Sequence, residues 1–202
     1  MTSLIVRRPT EFTLNDAKVS PIVSPCLPES DGRRSLVFDL DDTLIHTYPN
    51  PVIQRVGLYP VEFGTKTYYF EIRNGVVDFL KRMKKEYELI LFTSADQRYA
   101  DQILQVLESD EPLFEQKLYQ TDCVTQTGFV KDLQKVGRDK FTTICFDDYP
   151  YGWASQDNIC VCKKYNGGQD AEVKRWENIV TQCSSLFDVR EALLEYSMCL
   201  LL

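Results

Sequence analysis

The 202-residue chain carries a single histidine, His46, so a Ser-His-Asp or Cys-His mechanism has one candidate base and no more. Any chemistry therefore falls to its 30 aspartates and glutamates. No stretch approaches the roughly 18 consecutive apolar residues that a membrane-spanning helix needs. Met1 to Arg8 places its arginines after a short apolar run, the reverse of a secretory signal. The seven cysteines (Cys26, Cys123, Cys145, Cys160, Cys162, Cys183 and Cys199) are odd in number and form no Cys-x-x-Cys pair. That argues against a disulfide framework and against a zinc site. A net charge of −7 lacks the basic excess of a nucleic-acid binder. With 44% hydrophobic and 26% charged residues, the composition is that of a globular protein holding one generous core, or one core and an arm. The expectation is a soluble, intracellular domain.

Four of the nine prolines (Pro9, Pro21, Pro25 and Pro28) fall within residues 1–32, among serines and threonines and without a sustained period. This segment reads as an extended arm. From Arg33 onward strands and helices alternate. Ser35–Phe38, Glu88–Phe92 and Phe141–Phe146 are short apolar runs of the kind buried on both faces of a parallel sheet. Three-and-four spacing predicts helices through Val76, Phe79 or Leu80, Met83 and Tyr87, and through Tyr99, Ile103 and Leu107. Two more follow through Val173, Trp176, Ile179 and Cys183, and through Leu186, Val189, Leu193 and Ser197. The fold class is α/β, a doubly wound, mostly parallel sheet over residues 33–199. Residues 48–73 break the alternation. Leu58–Phe63 and Thr67–Ile72, separated by Gly64, predict a small β insert after the first strand. It is either a decorated loop or a surface that faces substrate.

All three buried strands end in polar groups: Asp39-Leu40-Asp41-Asp42-Thr43, then Thr93-Ser94, then Asp147-Asp148. In an open α/β sheet ligands bind beyond the carboxyl ends of the strands, so these groups converge on one crevice. Carboxylates gathered there repel one another, a divalent cation relieves the repulsion, and an all-oxygen donor set favours Mg2+. Asp39, Asp41, Asp147 and Asp148 are its candidate ligands. The hydroxyls of Thr93 and Ser94 and the ammonium of Lys131 would hold the free oxygens of a phosphate. Metal-assisted phosphoryl transfer follows from these parts. Asp39, at the end of its strand, can attack phosphorus and form an aspartyl-phosphate. Asp41, two residues on and facing the same crevice, can protonate the leaving oxygen and then deprotonate water. Between Thr93 and Lys131 there is room for a helix and a strand pair but no lid domain. An open crevice suits a phosphorylated protein segment and disfavours a small metabolite.

Phe38–His46 resembles the first motif of the haloacid dehalogenase superfamily. More narrowly, it is similar to that of the FCP/SCP-type small phosphatases acting on the carboxy-terminal domain of RNA polymerase II, which reads Asp-Leu-Asp-Glu-Thr-Leu-Val-His. The resemblance continues through Leu91–Ser94, Tyr99–Asp101, Phe129–Leu133 and Gly137–Asp139. It implies a serine/threonine phosphoprotein phosphatase with nucleophile Asp39, acid/base Asp41 and phosphate ligands Thr93 and Lys131. It also implies Mg2+ held by Asp39, the main-chain carbonyl of Asp41 and a residue of the last motif. Tyr48, Val61 and Phe63 resemble the family's apolar pocket for a substrate proline, and equally fit a local mini-core. The chain departs from the family where Asp147-Asp148-Tyr149-Pro150 replaces Asp-Asn-Ser-Pro, where Asn74 follows Arg73 in place of proline, and where Gln120 replaces an arginine near the peptide. The last departure weakens the case for the polymerase tail itself as substrate. The alternative is a catalytically silent binding module, a use that a mitochondrial import receptor branch makes of this fold.

His46 is expected to orient a helix or a loop through a hydrogen bond, Trp153 and Trp176 to pack, and Lys81–Lys85 to form a solvated helix face. Cys199-Leu200-Leu201-Leu202 fits a prenylation pattern, with leucine pointing to geranylgeranyl. The same leucines would also finish the apolar stripe of a last helix. Glu191 and Glu195 stand where a membrane-binding polybasic run would be.

Overall fold

The structure, a computed structural model, describes residues 24–48, 57–124 and 128–199. The first part of the arm, the tip of the insert and the three terminal leucines lie outside them, as does the side chain of Cys199. Five strands form a wholly parallel sheet in the order β6-β5-β1-β7-β8. They are β1 (Ser35–Phe38), β5 (Glu88–Phe92), β6 (Gln116–Leu118), β7 (Thr143–Asp147) and β8 (Ile159–Val161). The three strands read from the sequence are the central ones, and every residue of β1, β5 and β7 is buried. Ser35 lies opposite both Glu88 and Thr143, which brings the three carboxyl ends level.

Side-chain alternation divides the core. Leu36, Phe38, Leu89, Leu91, Ile144 and Phe146 point to one face, whereas Val37, Ile90, Phe92, Cys145 and Ile159 point to the other. On the first face Phe38 stacks on Phe146 with centroids 4.9 Å apart, and Trp176 closes over both. Burying aromatic rings of this kind is worth about 2–3 kcal/mol each. That face is covered by α1 (Val76–Met83), α2 (Gln97–Leu107), α4 (Glu172–Cys183) and α5 (Val189–Cys199). Among the described residues the opposite face is covered by the four-residue α3 (Leu133–Val136), Cys123, Trp153 and Leu27 of the arm. Both faces are therefore covered, although unequally. Cys26 donates its backbone N–H to Lys135, and the carbonyl of Pro28 accepts from Arg138.

The insert is a separate antiparallel sheet, order β2-β4-β3, built from β2 (Ile45–Tyr48), β4 (Lys66–Ile72) and β3 (Tyr59–Phe63). It begins three residues earlier than the sequence pattern suggested, because Ile45–Tyr48 pairs in register with Tyr69–Ile72. Gln102 of α2 clamps it by bonding both the N–H and the C=O of Glu62. Helix α1 stops at Met83, and Tyr87 enters the core from the turn that follows. Leu186 likewise lies outside α5, which starts at Val189. Among the described residues no disulfide joins two cysteines, and no helix is long and apolar enough to cross a membrane.

Candidate active site

Asp39 is the first residue beyond β1, only 7% exposed, with its N–H bonded to the carbonyl of Phe146 on the neighbouring strand. Lys131 arrives from a backbone bridge with Trp153 and donates from Nζ to Asp39 Oδ1 at 2.5 Å and to Asp147 Oδ2 at 2.7 Å. Burial would strip the proton from this lysine, but the two carboxylates outweigh it and keep the group cationic. Asp147 also accepts the indole N–H of Trp153 at 2.7 Å and the N–H of Tyr149 at 2.7 Å. Three of its four acceptor positions are thereby filled, so it chiefly fixes Lys131. Trp153, which the sequence suggested only as packing, is part of this network. Its indole ring also lies 5.5 Å from Lys131 Nζ.

One carboxylate oxygen each from Asp39, Asp147 and Asp148 lie within 4.8 Å of one another. Thr43 holds Asp148 from both sides, its hydroxyl donating to Oδ1 at 3.3 Å and accepting the Asp148 N–H at 3.1 Å. Burial and then the charge of Asp147 raise Asp148 to about 6. Asp39 is driven well above the carboxylate range by burial and by Asp147, against the pull of Lys131. One lysine thus fails to neutralise three acids. An all-oxygen donor set with surplus negative charge fits a hard divalent cation. Asp41, expected among the ligands, does not join the three, and its carboxylate turns to Tyr99 instead.

Asp41 Oδ1 accepts the phenol of Tyr99 at 2.6 Å, and the hydroxyl of Thr47 bonds Tyr99 in turn at 2.6 Å. Burial raises Asp41, and the bond from Tyr99 only partly offsets it. The next residue, Asp42, sits in the left-handed region at φ 58, a conformation costing an L-residue about 1 kcal/mol. Its carboxylate is held by His46 Nδ1 at 2.7 Å and Lys164 Nζ at 2.6 Å. His46 therefore has the loop-orienting bond expected of it. Thr93 is buried beyond β5, its hydroxyl accepting the Ala95 N–H at 3.0 Å. Ser94 is exposed, and its carbonyl accepts the side-chain amide of Gln120.

A cleft of about 440 Å³ opens beside Asp41, with Phe63, Tyr68 and Tyr99 on its walls and Asp96 and Gln120 also lining it. Of the three residues expected to line a proline pocket, only Phe63 lines this cleft. Val61 is 1% exposed because strand alternation turns it into the core next to Phe70, and Tyr48 points away to bond Glu71. Their mini-core reading holds for Val61.

The sequence profile of the NLI interacting factor-like phosphatases matches residues 34–190. The chain belongs to this family. Human "Carboxy-terminal domain RNA polymerase II polypeptide A small phosphatase 2" is 31% identical over 170 residues, which cover 82% of this chain and 62% of that protein. A probable C-terminal domain small phosphatase of Dictyostelium discoideum is 30% identical over 175 residues, covering 84% and 57%. For "CTD small phosphatase-like protein 1" of Caenorhabditis elegans the values are 31% over 166 residues, 80% and 33%. The chain therefore spans less than two thirds of the length of these relatives. Among solved structures, fission yeast Fcp1 bound to beryllium fluoride superposes with a TM-score of 0.57 at 21% identity, covering 84% of this chain and 55% of that one. That likeness establishes the fold.

Tyr99 and Thr47 escaped the sequence reading as site residues. Tyr99 lies on the apolar stripe of α2 and reads there as core, and Thr47 lies in a strand that the sequence did not reveal. A tyrosine six residues after the strand-end Thr93, on the first turn of its helix, was the available signal.

Proposed function

We propose that the chain is a divalent-metal-dependent phosphoprotein phosphatase acting on phosphoserine and phosphothreonine through an aspartyl-phosphate on Asp39. One observation carries the reading: a buried lysine ties the strand-end Asp39 to Asp147, beside a third carboxylate and an open cleft. Lys131 and Thr93 take the non-bridging oxygens of the phosphate. Asp39 attacks phosphorus in line with the departing hydroxyl oxygen. Asp41, whose hold on a proton burial strengthens, gives that oxygen its proton, then takes one from the water that hydrolyses the aspartyl-phosphate. A bound Mg2+ would supply charge neutralisation at the phosphoryl oxygens, held by Asp39, Asp148 and the carbonyl of Asp41. Steady-state hydrolysis of p-nitrophenyl phosphate, with and without Mg2+, separates this enzyme from a silent binding module. No turnover under either condition would favour the module.

The substrate preference rests on reach. A short serine or threonine side chain lets the peptide backbone lie along Phe63 and Tyr68 while its phosphate meets Asp39; a tyrosine ring holds the backbone farther off. Phosphoserine and phosphothreonine peptides are expected to exceed the phosphotyrosine peptide by about tenfold in kcat/KM. A preference for phosphotyrosine would refute the assignment. With Val61 buried and Tyr48 directed elsewhere, the structure lends a proline pocket no support beyond Phe63.

Metal binding can be tested without turnover. Asp148 ionises near 6, so at pH 7 its carboxylate is charged and at pH 5 it has taken up a proton. The sign is fixed: a carboxyl raised in the folded state costs stability as pH climbs through its pKa, and a cation recovers that loss. Mg2+ should raise the thermal midpoint more at pH 7 than at pH 5, and its affinity should weaken about tenfold per pH unit below 6. Equal shifts at both pH values would remove Asp148 from the ligand set.

A further inference from the structure

We propose that the cleft beside Asp41 selects a basic side chain of the substrate, a lysine or arginine within two residues of the phosphorylated one. This deepens the phosphoprotein phosphatase reading and rests on it. Asp41 lines the cleft and also belongs to the reaction centre, so a segment whose phosphate sits at Asp39 must place a neighbouring side chain here. Phe63, 54% exposed, stands edge-on to Tyr99 at 5.9 Å, and Tyr68 adds a third ring. Three aromatic faces offer an aliphatic stem an apolar bed and offer its cation the negative face of a ring. Asp96 supplies the charge. Among the described residues the lining holds two carboxylates and neither a lysine nor an arginine. Gln120 contributes a neutral amide that is already tethered to Ser94.

Asp96 is also the N-cap of α2, accepting the Arg98 N–H at 2.9 Å. The helix end presents about half a positive charge there, which the full charge of the carboxylate exceeds. An acidic flank would meet the charge of Asp96 with the wrong sign, and an aliphatic flank would gain the rings while leaving Asp96 without a partner. The order expected is therefore basic, then aliphatic, then acidic.

The test uses three phosphoserine peptides with lysine, leucine or glutamate at the two positions on each side of the phosphoserine. The lysine peptide is expected to exceed the leucine peptide about fivefold in kcat/KM, the scale of one partly exposed ion pair, with the glutamate peptide slowest. Asp96→Asn keeps a good helix cap and removes the charge. Within that variant the lysine-to-leucine ratio should fall to near one. A ratio below twofold in the parent protein, or one that survives Asp96→Asn, overturns the proposal. Should none of the peptides turn over, the phosphatase reading has failed separately. Fluorescence anisotropy with the same three peptides on Asp39→Asn protein then reads the binding order, and lysine no tighter than leucine overturns the proposal.

Discussion

Asp39→Asn protein is expected to lose p-nitrophenyl phosphatase activity by about a thousandfold or more while remaining at least as stable as its parent. The first half follows from position. Asp39 is the strand-end carboxylate that touches Lys131 and shares the three-acid cluster, so no neighbour can replace it as nucleophile. Asp147 is consumed by Lys131, Trp153 and Tyr149, and Asp41 is tied to Tyr99. The second half follows from electrostatics. Burial and the charge of Asp147 hold Asp39 well above the carboxylate range, so its ionised form is a cost to the fold. An amide of the same shape keeps the acceptor for Lys131 and removes that cost. Dead and stable is the signature of a group retained for chemistry. Activity above a few per cent of the parent would defeat the aspartyl-phosphate mechanism, and a large drop in thermal midpoint would make Asp39 a structural residue.

The central frame was legible because burial on both faces leaves a wholly apolar run that little else produces. Ser35–Phe38 and Glu88–Phe92 coincide with their strands, and the third run is displaced by only two residues at its start. Edge strands have no such signature. Gln116–Leu118 has one fully buried residue in three, and Ile159–Val161 sits among cysteines, so neither stood out. The charged strand-end residues were legible for a related reason: a carboxylate directly after a buried strand can lie only at the sheet's rim. Asp39, Lys131, Asp147 and Asp148 meet as that logic requires. Pocket walls were not legible, because residues that share one face of a strand need not share its burial. Val61 and Phe63 lie two apart, yet the turn at Gly64 leaves Val61 buried and Phe63 exposed.

Arg73 shows most clearly what pattern alone conceals. In the sequence it is one charged residue at the end of an insert; in the structure it is fully buried. Its guanidinium pairs with Asp170 at 2.7 Å and donates to the carbonyls of Thr43 at 2.8 Å and Lys163 at 2.6 Å. It lies between Tyr165 and Trp176, 5.0 and 5.2 Å from their ring centres. It thus ties the loop after Asp41 to the segment after β8 and to α4. Arg73→Met is expected to destabilise the protein by about 3–5 kcal/mol, because Asp170 and two carbonyls lose their donor inside the fold. In a domain of this size that corresponds to roughly 10 °C in thermal midpoint. Arg73→Lys should recover only part of it, since an ammonium cannot span the carboxylate and both carbonyls as a planar fork does. The pH dependence supplies an independent check. Burial alone would raise Asp170, but Arg73 more than reverses this and holds it below its ordinary 3.8. A depressed carboxyl contributes stability that is present above 3.8 and is lost as pH falls through the lowered value. The gap between parent and Arg73→Met should therefore be full at pH 6 and narrow below pH 4. Denaturant melts at both pH values measure it. A gap under about 1 kcal/mol at pH 6 would show that the buried pair only offsets its own desolvation.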